Sequence, residues 1–231
     1  EIGGLVAGKT KVDILVTPIT TITVGSVVGL SIGVPIAAFM TKVGELINWG
    51  AVQQPFWAGI IVSALMGIAL TLPISSAAIG VSLNLSGIAA GAAAVGCAAN
   101  MVGFAVSSFR ENKTGGLVAQ GLGTSMLQMP NIIRKPVIWL PAIFASIILG
   151  PISTCVFGMT NNATGSGMGT CGLVGQIMAF QTMTGDGMGA GPALFQIILM
   201  HVIAPAVLAL LFSELMRKKG WIKPGDMKLD I

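Results

Sequence analysis

Residues 160 to 176 read TNNATGSGMGTCGLVGQ, an uncharged tract of glycines and small polar side chains between two strongly apolar stretches. The five glycines of this tract would each cost about 1 kcal/mol relative to alanine inside a helix, so we expect a segment that is only partly helical. At bilayer depth, non-helical backbone is tolerated only inside protein or beside a water-filled cavity. The tract therefore predicts a buried, broken segment on a solute path. The simpler alternative is an ordinary loop outside the membrane.

The composition of the whole chain indicates whether this tract belongs to a soluble protein or a membrane protein. Hydrophobic residues make up 54% of the 231 residues and charged residues 9%, with a mean hydropathy of +0.89. A soluble domain has about 25% charged residues. A transmembrane helix needs about 20 apolar residues, so the chain has room for about five to seven spans. The sequence predicts an all-α integral membrane protein, a polytopic helical bundle with re-entrant or broken segments.

Apolar runs between charged residues give the expected spans, at residues 14–40, 55–73, 86–109, 136–159 and 194–215. A polar connector is expected to follow Met40, and the glycine-rich segment 115–136 is expected to be a loop or a re-entrant piece. We treat residues 1–216 as one transmembrane domain and residues 217–231 as a basic cytoplasmic tail.

A weak internal repeat is compatible with this division. GGLVAGKT at 3–10 recurs as GGLVAQGLGT at 115–124, and GVPIAAFMT at 33–41 resembles GPISTCVFGMT at 150–160. Biased composition also produces chance matches. Duplication, with halves 1–110 and 111–216, and coincidence are therefore both left open, although repeats of this kind are common in transporters.

The basic residues indicate topology. The chain carries a net charge of +4, but its lysines and arginines lie at the ends of apolar runs rather than across one face, which argues against a nucleic-acid partner. The cluster from Arg217 to Lys228 follows the last run, and Arg110, Lys113 and Arg134 flank the middle segment. Positively charged loops favour the cytoplasm, so the C-terminus and the middle segment are expected there. The orientation of the first run is left open.

Hydroxyl and amide side chains in and after the glycine-rich tract are the candidate ligand contacts. A neutral site rich in such groups suits a neutral sugar or polyol, whose hydroxyls need fixed hydrogen-bond partners. The candidate substrate-binding residues are Asn161, Asn162, Thr164, Gln176, Asp186 and His201.

Two of these candidates have a competing structural interpretation. His201 is the only histidine and lies within an apolar run, where an ionisable group suggests function. It could equally bond a helix carbonyl that Pro205 leaves without its usual partner. Asp186, in TGDGMGAG, could bind a sugar hydroxyl or stabilise a turn.

No catalytic or metal-binding pattern is present in the sequence. A single histidine without a nearby carboxylate excludes a Ser/His/Asp set, and HExxH, P-loop and CxxC motifs are absent. The three cysteines are scattered, and the thirteen methionines are spread along the chain. We therefore expect no catalytic residues, no metal and no cofactor, and no self-contained enzyme.

Three stretches carry a resemblance to a known family: GLGTSMLQMPNIIRKP, GPISTCVFGMTNNATGSGMGTCGLVGQ and ISSAAIGVSLNLSGIAAGAAAVGCAANMVGFAVSSF. The chain resembles the membrane-spanning IIC component of the bacterial phosphoenolpyruvate-dependent phosphotransferase system, in its PfoR-like branch. The resemblance implies an inner-membrane, usually dimeric, helical permease that binds a carbohydrate. The resemblance also implies that a separate IIB protein phosphorylates the sugar as it is released inward.

One departure from the family keeps another function open. The better-known sugar IIC proteins place a glutamate in a re-entrant segment near the sugar, whereas this chain has Asn161, Asn162 and Thr164 in the comparable tract. The alternative is a non-transporting membrane regulator of the PfoR type. For transport, the cytoplasmic candidates for IIB docking are ENKTGG at 111–116 and NIIRKP at 131–136.

Overall fold

The structure, a computed structural model, describes residues 13 to 229. Over that range the chain is helical and contains no β-strand, which confirms the predicted all-α bundle. The helices are α1 Asp13–Gln53, α2 Pro55–Thr71, α3 Ser76–Ser82, α4 Gly87–Ser107, α5 Phe109–Val118, α6 Met129–Arg134, α7 Leu140–Pro151, α8 Ala163–Ser166, α9 Val174–Gly185, α10 Ala190–Ile198 and α11 Ala204–Lys218.

Short turns of tighter or wider helix connect several of these elements. π-helical turns occupy Ala119–Gly123, Ile152–Phe157 and Leu199–Ile203, and 3-10 turns occupy Ser125–Gln128, Pro136–Trp139 and Cys171–Leu173. In the described part of the chain, three continuous helical stretches are long and apolar enough to cross a membrane: Gly87–Ser107, Pro136–Phe157 and Ala190–Lys218. Pro18–Val27 and Pro55–Thr71 are shorter apolar helices. Each of the five predicted apolar runs is therefore mostly helical.

The chain divides between Val43 and Gly44 into two compact units. The described part of the first unit, residues 13–43, belongs to α1 alone. The predicted polar connector after Met40 is wrong, because α1 continues to Gln53 and the next break comes only before Pro55. In the second unit, Asn48 fixes the end of this helix by donating to the Asn84 carbonyl and accepting from the Ser86 amide.

The structure describes only part of the two segment pairs that suggest an internal repeat. Residues 3–10, one copy of the first pair, lie outside the described residues. In the second pair, residues 33–41 are uniformly helical, whereas residues 150–160 contain the end of α7, a π turn and the left-handed Gly158. The two segments therefore differ in conformation, and the repeat stays a prediction.

Helix α4 is the centre of the second unit. Every residue from 89 to 105 is buried, and the run consists largely of alanine and glycine. A Cβ atom at Gly96 would lie 1.9 Å from the Ser63 carbonyl oxygen of α2, and one at Gly150 of α7 would lie 2.2 Å from the Gly59 carbonyl oxygen. Small residues thus bring α2, α4 and α7 into backbone contact, the usual way helices pack tightly in lipid.

A buried polar network adds specificity to this three-helix packing. Asn100 of α4 donates to Ser146 Oγ of α7 at 3.1 Å and accepts from Trp139 Nε1 at 3.0 Å. Ser63 of α2 donates to the Ser146 carbonyl at 2.8 Å. Buried polar groups must find partners, so this network fixes the register of the three helices.

The C-terminal tail packs against the segment between α4 and α7. Asn112 donates to the Met227 carbonyl and accepts from the Leu229 amide, both at 2.8 Å. Gln128 also donates to the Met227 carbonyl, and Asn131 donates to the Lys228 carbonyl. Because the tail and the middle segment are in contact, both lie on the same side of the bundle, as the charge pattern predicts.

Two ion pairs reinforce this contact, and they differ in environment. Arg217 and Glu111 form a buried pair at 2.9 Å, with side chains only 9% and 8% exposed. Lys135 pairs with Asp226 of the tail. Partial burial acts to raise the pKa of Asp226, but hydrogen bonds from Lys135 and the Lys223 amide, together with both positive charges, hold it below its ordinary value.

Candidate functional site

The glycine-rich tract is a broken segment, as its composition predicts. The chain turns at Gly158, with a φ of 56°, and runs extended to Asn162 before the four-residue helix α8. Gly172 and Leu173 are both left-handed, with φ angles of 53° and 60°, and α9 begins directly after them. The tract is therefore interrupted by non-helical backbone at both ends of α8.

Two glycines bring this tract against the helical core. Gly167 lies where a Cβ atom would be 2.2 Å from the Ser76 carbonyl oxygen, and Ser76 Oγ donates to the Gly167 carbonyl at 2.7 Å. At Gly169, with a φ of 51°, a Cβ atom would lie 2.8 Å from the backbone carbon of Cys97. Cys97 lies midway along α4, so the tract reaches the middle of a membrane-crossing helix.

A second broken segment approaches the same place from the other end of α4. After α5 the chain forms the π turn Ala119–Gly123 and the 3-10 turn Ser125–Gln128, with Gln120 fully buried. The Thr170 hydroxyl of the first segment donates to the Gly121 carbonyl of the second and lies 3.5 Å from Met101 Sδ. The two broken segments therefore meet beside the middle of α4.

A cavity of about 170 Å³ lies at this meeting point. Its polar lining comes from Ser75 and Ser76 at the start of α3, Thr124 in the second broken segment and Cys171 in the first. Ser75 Oγ and Thr124 Oγ1 accept from backbone amides, which leaves each hydroxyl hydrogen available to donate. Among the described residues, those that line the cavity are uncharged and mostly apolar, so the polar contacts that it offers are hydrogen bonds.

None of the six residues predicted from the sequence lines this cavity. The four polar lining residues were not predicted, because each is an ordinary helix-start or turn residue in the sequence. Two sequence features could have indicated these residues: Pro73, which interrupts the helix before Ser75, and the glycines on either side of Leu122. Only the packed structure brings these breaks together.

Asn161 and Asn162 maintain the conformation of the tract. Asn161 is 1% exposed. Its side-chain nitrogen donates to the Gly175 carbonyl at 3.1 Å, and its side-chain oxygen accepts from the Asn162 backbone amide at 2.8 Å. Asn162 Oδ1 caps α8 by accepting from the Gly165 amide at 2.9 Å. Thr164 lies on the exposed side of α8.

Gln176 and His201 form a buried polar pair. Gln176 Nε2 lies 3.1 Å from His201 Nδ1, so α9 is joined to the π turn in the last span. The partner of ring nitrogen Nδ1 is thus a side chain rather than a helix carbonyl. Within residues 13–229, His201 Nε2 and Gln176 Oε1 are buried without hydrogen-bond partners.

Asp186 lies apart from that pair, near the beginning of the tract. The Thr160 hydroxyl donates to Asp186 Oδ2 at 2.7 Å, in an exposed position. This bond ties the loop after α9 to the start of the tract. The predicted residues thus form separate groups around one broken segment rather than a single cluster.

These features define the class of protein: a polytopic helical membrane protein in which two broken segments meet at the middle of a span, as in many transporters. Residues 1–229 match the family described as Phosphotransferase system, EIIC, and the chain belongs to this family. No curated protein and no solved structure matches it. It is therefore an integral membrane component of a phosphotransferase sugar permease, a family whose members take a carbohydrate substrate and work with a separate IIB protein.

Proposed function

We propose that the chain binds a neutral carbohydrate in the cavity where the two broken segments meet and translocates it for phosphorylation by a separate IIB protein. The position of this cavity beside the middle of α4 is the observation that carries the proposal. Substrate sites of transporters are typically formed near the bilayer midplane by interrupted helices. The hydroxyls of Ser75, Ser76 and Thr124 suit an uncharged polyhydroxyl ligand.

The size of the cavity supports a small substrate. Its volume of about 170 Å³ is below the range of about 300–1,000 Å³ that is common for pockets of drug-sized ligands. A single sugar ring is therefore favoured over an oligosaccharide.

The six residues predicted from the sequence stay candidates for contacts along the solute path. His201 Nε2 and Gln176 Oε1 are the strongest of these, since buried polar atoms normally have partners and a sugar hydroxyl can supply one. Asn161 and Asn162 support the tract that forms one wall of the cavity. Thr164 and Asp186, both exposed, suit the entrance of the path.

Location, topology and assembly complete the proposal. The protein lies in the bacterial inner membrane with its C-terminus in the cytoplasm, because Arg217 and the basic residues after it follow the last span. Labelling of an engineered cysteine near Lys228 from outside intact cells would refute this orientation. A homodimer is proposed from the family and from Gly25, Gly29 and Gly33, whose four-residue spacing in α1 allows close helix packing.

Transport is tested by phosphoenolpyruvate-dependent uptake of a panel of radiolabelled neutral hexoses, hexitols and disaccharides into cells with the IIB partner. Loss of one neutral hydrogen bond costs about 0.5–1.5 kcal/mol, so Thr124→Val should weaken binding of the accepted sugar about 2–13-fold. Thr124→Ser keeps the hydroxyl and should restore binding. Equal binding by wild type, Thr124→Val and Thr124→Ser would refute the assignment of the cavity.

A non-transporting regulator of the PfoR type is the second candidate, and one observation favours it. Asn112, Asn131 and Lys135, in the two segments predicted to dock IIB, are already bonded to the C-terminal tail. A docking surface covered by its own tail suits a sensor that signals without phosphorylation. Sugar binding without uptake across the panel would favour this function.

A further inference from the structure

The last span carries a stripe of residues that faces a concave, mostly apolar surface. Val202, Ala206, Leu210 and Glu214 recur at four-residue spacing, which places them along one face of the helix. At 1.5 Å per residue, the stripe is about 18 Å long. The hydrocarbon part of one bilayer leaflet is about 15 Å thick, half of the usual 30 Å. The stripe therefore matches the length of one leaflet.

Two adjoining cavities lie along this stripe. The deeper one has a volume of about 320 Å³, and its lining is almost entirely apolar, including Val202 and Ala206. The outer one has a volume of about 480 Å³ and is lined by Leu210 and Glu214. Val106 and Leu117 form walls of both. We call the two cavities together the α11 crevice.

The outer end of the α11 crevice carries an ion pair. Arg110 Nη2 lies 3.0 Å from Glu214 Oε2, and both side chains line the outer cavity and are partly exposed. Arg110 lies three residues after Ser107, the last residue of the α4 span, so we expect its side chain to reach the level of the lipid headgroups. The crevice therefore presents an apolar channel on the inside and adjacent positive and negative charges at its mouth.

We propose that the α11 crevice binds one glycerophospholipid with an ethanolamine headgroup. An acyl chain would lie along Val202, Ala206 and Leu210, in the apolar part of the crevice. The headgroup carries a phosphate and an ammonium group a few bonds apart. On binding, these groups would replace the Arg110–Glu214 contact by contacts to Arg110 and Glu214 respectively. A lipid with a glycerol headgroup has no cation to pair with Glu214, so the charges favour ethanolamine.

The test uses the purified full chain in detergent with an equimolar mixture of phosphatidylethanolamine and phosphatidylglycerol, and native mass spectrometry to count retained lipids. We expect wild type to retain phosphatidylethanolamine with at least about tenfold preference, equivalent to about 1.4 kcal/mol. Glu214→Gln keeps the shape but removes the negative charge, and the preference should fall to near parity. An unchanged preference in this variant, or no retained lipid in wild type, would overturn the proposal.

A second pair of variants tests the acyl-chain position. Ala206→Trp fills the deeper cavity and should abolish lipid retention, whereas Val207→Trp, on the next and exposed position of α11, should not. Phosphatidylethanolamine with a photoactivatable acyl chain should label peptides containing residues 102–122 and 202–210. Labelling outside these peptides would refute the site. Crosslinks between two copies of the chain through the crevice would also refute it, because they would assign this face to a dimer.

Discussion

Replacing Gly169 by alanine should separate the first broken segment from α4. Gly169 has a φ of 51°, and an added Cβ atom would lie 2.8 Å from the Cys97 carbon and 2.9 Å from the Ala98 nitrogen. The left-handed conformation costs about 1–2 kcal/mol for a residue with a Cβ atom. Overpacking against backbone adds about 1–3 kcal/mol. The free energy of unfolding should therefore fall by roughly 2–5 kcal/mol, the sum of these two costs.

Gly172→Ala is the matched control within the same tract. Its φ of 53° carries the same conformational cost, but the nearest atom to an added Cβ, Val174 Cγ2, lies at 3.9 Å. The assay is the thermal unfolding midpoint in detergent, which shifts by about 2–4 °C per kcal/mol for a chain of this size. Gly169→Ala should lower the midpoint further than Gly172→Ala, by about 2–12 °C. Equal midpoints would show that the tract does not pack on α4.

The tail and the ion pairs give three further predictions. Arg217→Met leaves the Glu111 carboxylate buried without its partner, so the free energy of unfolding in lipid-free detergent should fall by about 3–5 kcal/mol. Arg110→Met removes one partner of an exposed ion pair, so the free energy of unfolding should change by at most about 1 kcal/mol. A similar loss of stability in both variants would contradict the difference in burial between the two ion pairs. Because the folded-state pKa of Asp226 is lowered, its contribution to tail docking is complete above the unfolded pKa of about 4 and is lost as the pH falls from there through the lower folded-state pKa. The protection factors of the tail amides, measured by hydrogen exchange, should fall over this pH range in wild type but not in Asp226→Asn, and parallel profiles for the two would refute the role of the Lys135 contact.

Much of the fold could be predicted from the sequence because membrane helices are recognisable from composition alone. The runs at 55–73, 86–109 and 136–159 correspond closely to the observed helices Pro55–Thr71, Gly87–Ser107 and Pro136–Phe157. The glycine-rich tract was predictable as a broken segment for the same reason, since each of its glycines weakens a helix.

The position of the cavity could not be predicted, because it depends on tertiary packing. Ser75 and Thr124 are 49 positions apart in the sequence and reach the same cavity only when both broken segments pack beside α4. The burial of the C-terminal tail could not be predicted either. Ile222, Met227 and Leu229 are separated by charged and turn residues and show no helical periodicity, yet all three are buried.

The end of α1 shows a different limit of the sequence. Polar residues such as Lys42 and Glu45 suggest a connector, but both are good helix formers, and no proline follows until Pro55. A polar side chain indicates that a residue is exposed, whereas the continuation of a helix depends on the helix propensity of its residues.

Substrate protection of Cys171 is the most direct test of the central claim, that the cavity between the two broken segments binds the sugar. Cys171 lines this cavity, Cys155 is exposed elsewhere and Cys97 is buried, so the native cysteines supply both the probe and its control. In membrane vesicles treated with a maleimide, a saturating transported sugar from the panel should slow labelling of Cys171 and leave labelling of Cys155 unchanged. Unchanged labelling of Cys171 in the presence of that sugar would contradict the assignment of the site.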